Sequence, residues 1–554
     1  MCGFLCGTSP LTAPAATDGP ADLVLTNGAI LTVDPRDSVA EAVAIRADRI
    51  LKVGTNTAIR SLVGPQTQVI DLQGRAVTPG IIDSHLHVLY YGRQSWPGYV
   101  DIRFPRVRSM DDLLRAVGEK ARQLPKGAWI AGNQGFHLPD DAALTRTALD
   151  TVAPDNPVYL RHSSGQSAVV NSRALELAGI RRNTPNPFGG RIVHDPRTGE
   201  PNGVLLHYPA ENLIGRLAPG YGERTDAELE DDVRRGQQLC LEAGITSAQD
   251  VIVGSLRDVQ AYQRLAARNE LKMRVYILFY VQSEEQAAKL VRNIPDLHSD
   301  MLTFAGWKLA IDGGLAAGTA MMYDRNLFAA RNAYAYHETA SLKQIVLLLH
   351  KTGMQVAFHV VGDRGLDQAL DAIEDAQRES PRKDPRHRIE HALFIKPESR
   401  ARIRKLGVVI STQPQWISWH ADGFRRATDD KNMATFLPLH SLLQDGVPLA
   451  FGCDVPAALA HEPKWAFLGA VGRRTASGYV PNADERLTVR ETLRIHTMGS
   501  AYAALEENLK GSIEPGKLAD LVVWSHNLYT MASRDIRDLT AEMTIVGGKI
   551  VFRR

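Results

Sequence analysis

Short apolar, β-branched runs alternate with amphipathic stretches through most of this chain. In order the runs are AVTPGIIDSHLHV, GITSAQDV, KMRVYILFY, FAGWKLAIDG, MQVAFHVVGD, RHRIEHALF, GVVISTQPQW and VPLAFGCDVP. Runs of this length and make-up predict buried strands. Helix-like segments such as SLKQIVLLLHKTG, GLDQALDAIEDAQRE and PESRARIRKLG fall between them, the first and third ending at a glycine as helix C-termini often do. Alternating strands and helices make a parallel sheet, and about eight strands close a (β/α)₈ TIM barrel, so the expected fold class is α/β.

The two ends read differently. Residues 22–73 break into short strands and turns (DLVLTNGAILTVDP, AVAIRADRILKVG, TQVIDLQGR), with Asn27-Gly28 giving a hairpin signal. LADLVVW and MTIVGGKIVFRR form a matching piece at the other end. Neither piece can bury a core alone, so residues 22–76 and 511–554 are expected to share one small β-sandwich, with the barrel in 77–90 and 241–510. The interval 91–240 is too long for a simple crossover. Its helices (DDLLRAVGEKARQL, SRALELAGI) and strands (PVYLRH, GRIVHD, NGVLL) predict an inserted α+β subdomain after the first barrel strand, over the active-site face. A purely stabilising or dimer-contact role is the alternative. Residues 1–21, rich in Pro, Ala, Gly and Thr, read as a mobile tail.

Composition narrows the function classes. A formal net charge of +2 in 554 residues gives no cationic excess for phosphate, which argues against a nucleic-acid or membrane surface. No apolar run reaches the ~18 residues that span a bilayer. Cys2, Cys6, Cys240 and Cys453 are too few and scattered for a disulfide framework, and the start lacks a basic, then apolar, leader pattern. A cytoplasmic protein with a small-molecule substrate is expected, with a homodimer as an option.

The candidate chemistry lies at the strand ends. In Asp83-Ser84-His85-Leu86-His87, alternation puts His85 and His87 on one face, where two imidazoles can chelate an ion. His359 on the fifth strand, His391 on the sixth and Asp454 after the eighth are N or O donors at C-terminal strand ends, where barrel enzymes keep their active sites. Each histidine alone would more often be a satisfied core residue; the ordered set carries the reading. On the fourth strand, Lys308, Ala310 and Asp312 share the inward face. A buried lysine favours its neutral amine, which can take up CO₂ as a carbamate able to bridge two ions. An ordinary lysine paired with Asp312 is the other reading, and strand position leaves both open.

The series DSHLHV, WKLAIDGG, VAFHVVGDRG, RIEHA and GCDVP, in this order over nearly the whole chain, resembles the amidohydrolase superfamily. The likeness is to its YtcJ-like group (amidohydrolase family 3), which includes N-substituted formamide deformylases. WIAGNQGF and LRHSSGQSAVVNSRALELAGI extend the resemblance into the insertion. It implies metal ligation by His85, His87, carboxylated Lys308, His359, His391 and Asp454, and Zn²⁺ as the cofactor, one ion or two bridged by Lys308. The sequence departs at Cys453, where a serine is more usual and where alternation suggests packing, and at Gln166, where a histidine is common. His387 shares parity with His391 but lies deeper, so it is left out of the ligand set.

By this likeness the reaction is cleavage of an amide-type C–N bond in an N-acyl or N-formyl amine, or a cyclic amide, by a metal-activated hydroxide. Asp454 is the expected proton carrier, with Asp312 and Asp363 orienting ligands. Trp416, Trp419, His420, Phe136 and Arg161 are candidates for the substrate pocket. Three alternatives stand beside this reading. The site could serve an ester or lactone hydrolase, a Schiff-base enzyme built on Lys308, or a non-catalytic metal-binding regulator.

Overall fold

The structure is a computed structural model that describes residues 19–102, 107, 109–134, 144–162, 167–187, 190–219, 223–315, 318–333, 335–458 and 460–554. Phe136, Gln166 and residues 1–18 of the expected tail lie outside the described residues.

Eight parallel strands form the central sheet: β1 (Ile81–Leu86), β2 (Ile245–Val253), β3 (Arg274–Tyr280), β4 (Leu302–Ala310), β5 (Gln355–Val360), β6 (Arg388–His391), β7 (Val409–Thr412) and β8 (Leu449–Phe451). They neighbour one another in sequence order. The eight strands expected from the apolar runs are therefore the strands of the barrel. Trp307, Leu309 and Ile389 turn outward into the main core with Ile345, Leu349 and Ile373 of the surrounding helices. The helix Asp363–Glu379 shows why it docks: Leu366, Ala369, Leu370, Ile373 and Ala376 recur three or four residues apart and are buried.

β8 and β1 close the ring through backbone at the functional end rather than through a regular ladder. Asp454 N–H donates to His85 O at 2.7 Å, and His87 N–H donates to Val455 O at 3.1 Å. Gly452 permits this approach, since a Cβ there would stand 2.4 Å from His85 N. Strand closure and the positions of His85, His87 and Asp454 are one piece of structure.

The chain ends build two further sheets. One has four strands, Arg49–Gly54, Ala42–Arg46, Leu23–Thr26 and Gln68–Asp71. The other has six and joins Ala76–Pro79 to Leu521–Trp524, antiparallel. Leu25, Ile45, Val77, Leu521, Val523 and Ile545 pack in one apolar cluster between them. The Asn27-Gly28 hairpin does not form. Leu23–Thr26 lies in the first sheet and Ala29–Leu31 in the second, so the pair turns the chain between sheets. A side chain at Gly28 would meet Leu72 Cδ1 at 2.3 Å, so the glycine serves close packing. The same dipeptide suits either kind of turn, and local sequence does not say which strands will pair.

Within the insertion a five-stranded sheet contains Ile130–Gln134, Val158–His162, Ser167–Val170, Pro201–Leu206 and Arg191–His194. Among the described residues no helix is long and apolar enough to cross a membrane.

Candidate active site

The side chains of His85, His87 and Asp454 meet at the closure. Asp454 Oδ1 lies 2.9 Å from His87 Nε2 and 3.3 Å from His85 Nε2. One donor atom from each of the three falls within 4.8 Å of the other two. The His391 ring sits 4.6 Å from that of His85 and 4.6 Å from that of His359, so the histidines of β5 and β6 adjoin the group without entering that tightest set. Lys308, on β4, is buried and its Nζ has no hydrogen-bond partner. Asp312 is not its partner: that carboxylate accepts from the backbone N–H groups of Met321, Val361 and Gly362 at 2.8–2.9 Å.

Burial sets the electrostatics. It pushes the Lys308 ammonium down to about 8, against the pull of Glu390 and Asp454. It pushes His359 down to about 4, with Lys308 adding to the effect, and holds His391 well below the ordinary imidazole value. Burial also opposes the charged form of Asp454, but the charge of His85 and hydrogen bonds from His85 and His87 outweigh it and keep the carboxyl well below its usual range. The result is an anionic carboxylate with the His359 and His391 rings held neutral, protonation states that bind a metal. At His85 burial and Lys308 are outweighed by Asp454 and Glu390, which raise it above the ordinary imidazole value. This donor set suits Zn²⁺ and similar divalent ions. The unpartnered Lys308 Nζ and the equally unpartnered His87 Nδ1 are buried polar atoms that protein contacts leave open.

Two of the six positions depend on unusual backbone. His391 has φ 71°, its neighbour Ala392 φ 45°, and Asp454 φ 58°. Left-handed φ in such residues costs on the order of 1–3 kcal/mol each and persists where the surroundings enforce it. Here Ala392 N–H bonds Val360 O (2.9 Å), Thr412 Oγ1 bonds His391 O (2.8 Å) and Ala458 N–H bonds Asp454 O (2.8 Å). Strand parity therefore does not govern β6 as expected. Arg388 and Glu390 point into the barrel, while His391 reaches the site only because the chain turns at it. His387 goes elsewhere: its Nδ1 accepts from Val356 N–H (3.0 Å), so its Nε2 donates to His350 Nδ1 (2.8 Å), whose Nε2 donates to Ser380 O (2.7 Å).

Comparison with known proteins bears directly on this arrangement. Residues 68–552 match the amidohydrolase family. The chain belongs to that family. This amidohydrolase is 30% identical to Protein LONG AFTER FAR-RED 3 of Arabidopsis thaliana, over 98% of this chain and 93% of that one. It is 29% identical to the N-substituted formamide deformylase of Arthrobacter pascens, over 96% of this chain and 98% of that one. Its fold is similar to the crystal structure of an uncharacterized metal-dependent hydrolase from Pyrococcus horikoshii, with a TM-score of 0.74 and 24% identity, covering 92% of this chain and 99% of that one. The resemblance read from the motifs thus holds, and with it the enzyme class, a hydrolase acting on carbon–nitrogen bonds.

The amidohydrolase site also contains residues that the sequence reading passed over. Glu390 Oε2 lies 2.6 Å from His85 Nδ1, and Arg388 Nε donates to Glu390 Oε1 at 2.7 Å. Gln413 Oε1 lies 2.8 Å from His391 Nδ1. With Nδ1–H given to these acceptors, each imidazole presents Nε2 for ligation, the usual carboxylate- or amide-backed arrangement of metal histidines. These two, rather than Asp312 and Asp363, are the side chains that back the candidate histidines His85 and His391. Asp312 instead braces the loop after β5, and Asp363 accepts from Tyr323 N–H (2.9 Å) and pairs with Lys396 (2.8 Å). The signal was available in RIEH, where a carboxylate that must be buried stands between an arginine and a histidine.

Around the site, Trp416 stacks on His391 with ring centroids 5.1 Å apart, while Trp419 packs against Trp465. His420 lies against Phe424 and is pushed down to about 4 by burial. Cys453 is buried, and its N–H donates to Asp83. Arg161 pairs with Glu211 in the insertion.

Proposed function

We propose that this amidohydrolase cleaves an amide-type C–N bond in N-acyl or N-formyl amines with Zn²⁺ as its cofactor. The reading rests on one observation: His85, His87 and Asp454 converge within 4.8 Å. The unpartnered Lys308 amine in the same neighbourhood supports uptake of CO₂ there, its N–C bond forming as one proton leaves, which yields an anionic ligand. The deformylase likeness supports the amide-type substrate. His85, His87, Lys308, His359, His391 and Asp454 would hold one ion, or two bridged by Lys308.

A divalent ion held by these residues would polarise a carbonyl and lower the pKa of water to ~7. Asp454, ionised and tied to His87 through Oδ1, takes the proton from the attacking water and returns it to the departing nitrogen. Glu390 and Gln413 fix the rings of His85 and His391.

The test is a screen of N-formyl amines, N-acyl amines, lactams and esters with zinc-loaded and chelated protein, together with Asp454→Asn. Turnover of an amide that disappears on chelation, and falls about 10²–10⁴-fold in Asp454→Asn assayed at saturating zinc, is expected. Ester turnover alone, or wild-type rates in Asp454→Asn, would overturn the reading.

A further inference from the structure

A cavity of about 200 Å³ lies between the helix that follows β1 and the inserted subdomain, lined among others by Tyr90, Trp96, Tyr99, Tyr159, Arg161 and Glu211. Tyr90 belongs to the helix Val88–Arg93, whose N-cap is His87. Tyr90 thus stands about one helical turn after His87, which carries a candidate ligand, and joins the cavity wall to the same helix.

Among the described residues, two buried polar atoms at the cavity lack partners. Glu211 is 1% exposed. Its Oε1 accepts from Tyr159 OH at 3.1 Å and from Arg161 Nε, while Oε2 has no hydrogen-bond partner. Trp96 Nε1 is likewise buried and unpartnered. An unmet buried acceptor is costly, so an open carboxylate oxygen in an aromatic-walled cavity is better explained by a donor from outside than by packing.

We propose that this cavity is the subsite for the substrate's substituent, and that it takes a single aromatic ring carrying a neutral O–H or N–H donor directed at Glu211 Oε2. Size sets the first part: an apolar cavity of about 150 Å³ suffices for benzene, so the space here holds one ring with a short polar extension. The rings of Tyr90, Trp96, Tyr99 and Tyr159 provide the edge and face contacts that such a group prefers. Charge sets the second part. Arg161 is already paired with Glu211, and Arg93, the other guanidinium at the cavity among the described residues, with Asp232. A cationic ligand would meet two guanidinium groups and an anionic one would meet the open carboxylate oxygen, which leaves a neutral donor.

This subsite deepens the proposed hydrolase reading and depends on it for its place in catalysis. The test pairs N-formylbenzylamine with its 4-hydroxy counterpart. In zinc-loaded enzyme kcat/KM is expected to favour the hydroxylated substrate at least tenfold, and Glu211→Gln to reduce that preference to about twofold. Because Glu211→Gln alters a buried ion pair, Trp96→Ala gives a second variant, expected to raise KM for both substrates with kcat little changed. Calorimetric binding of the hydroxylated compound to zinc-depleted protein reads the subsite without turnover. If neither compound is hydrolysed yet Glu211-dependent binding persists, the subsite stands and the reaction assignment fails. If hydrolysis proceeds with no preference, and binding is indifferent to Glu211→Gln and Trp96→Ala, the subsite is overturned.

Discussion

Glu390 connects a fully buried arginine to His85, a proposed metal ligand, and its worth lies in that connection. Its charge favours a proton on His85 Nδ1 and leaves Nε2 for the metal, while Arg388, bonded also to Ser84 O and Ser411, holds the carboxylate in place. Glu390→Gln keeps the shape and one acceptor oxygen but removes the charge. Zinc affinity, measured by chelator competition, should fall about 10–100-fold. A residue that merely filled space would change unfolding stability and leave affinity alone, so an affinity within twofold of wild type would refute the orienting role. At this scale the sequence was informative about residue type and less so about direction. His85, His87 and Asp454 could be picked out because donors at the ends of predicted strands are rare and ordered. Glu390 was passed over because alternation places it opposite His391, and alternation fails where His391 adopts a left-handed φ of 71°. No local pattern announces that turn.

Between elements the decisive contact is the seam of β8 against β1. Regular strands were readable as apolar runs, since each buries both faces, and their helices as three-to-four-residue apolar spacing with a terminal glycine. The seam was not readable, because it consists of backbone hydrogen bonds made after β8 has ended, at Asp454 and Val455. Gly452 is the sequence's one mark of it. Gly452→Ala would press a methyl group into His85 N, Cβ and Cα, at 2.4–2.8 Å, atoms that cannot move without displacing the ligand itself. A stability loss of about 1–3 kcal/mol is expected from such overpacking. Zinc content should fall further than that loss alone implies, while far-ultraviolet circular dichroism stays that of the wild type. Full zinc occupancy in a folded Gly452→Ala protein would show that the seam does not set the ligand geometry. The Asn27-Gly28 turn shows the same limit of local sequence, since both dihedral preference and position were readable and the pairing was not.

For the whole molecule, buried ionisable groups determine how stability varies with pH. The barrel and the terminal sheets are joined by a buried pair, Arg274 Nε to Asp520 Oδ2 at 2.6 Å, with Asp520 also accepting from Gly547 N–H. Such a pair stays ionised through the ordinary range, so it does not by itself create a pH dependence near neutrality. His496 does. It is buried beside Phe451 and Phe467, both ring nitrogens lack partners, and burial pushes it down to about 3. A histidine whose folded value lies below its unfolded value of 6.5 contributes fully above pH 6.5, and that contribution is lost as the pH falls toward 3, because the unfolded chain binds the proton first. Other buried groups titrate in the same window, and Asp312, raised by burial to about 7, acts with the opposite sign, so the wild-type curve alone does not isolate His496. The difference between wild type and His496→Leu does. Chemical denaturation of zinc-depleted protein should show the wild type losing about 3 kcal/mol more than His496→Leu between pH 7 and pH 4.5, from 1.36 kcal/mol per pH unit over the two units below 6.5. Parallel stability curves for the two proteins would mean that His496 finds a proton partner in solution, and the acid sensitivity of the barrel would then have to originate in the histidines around the metal site.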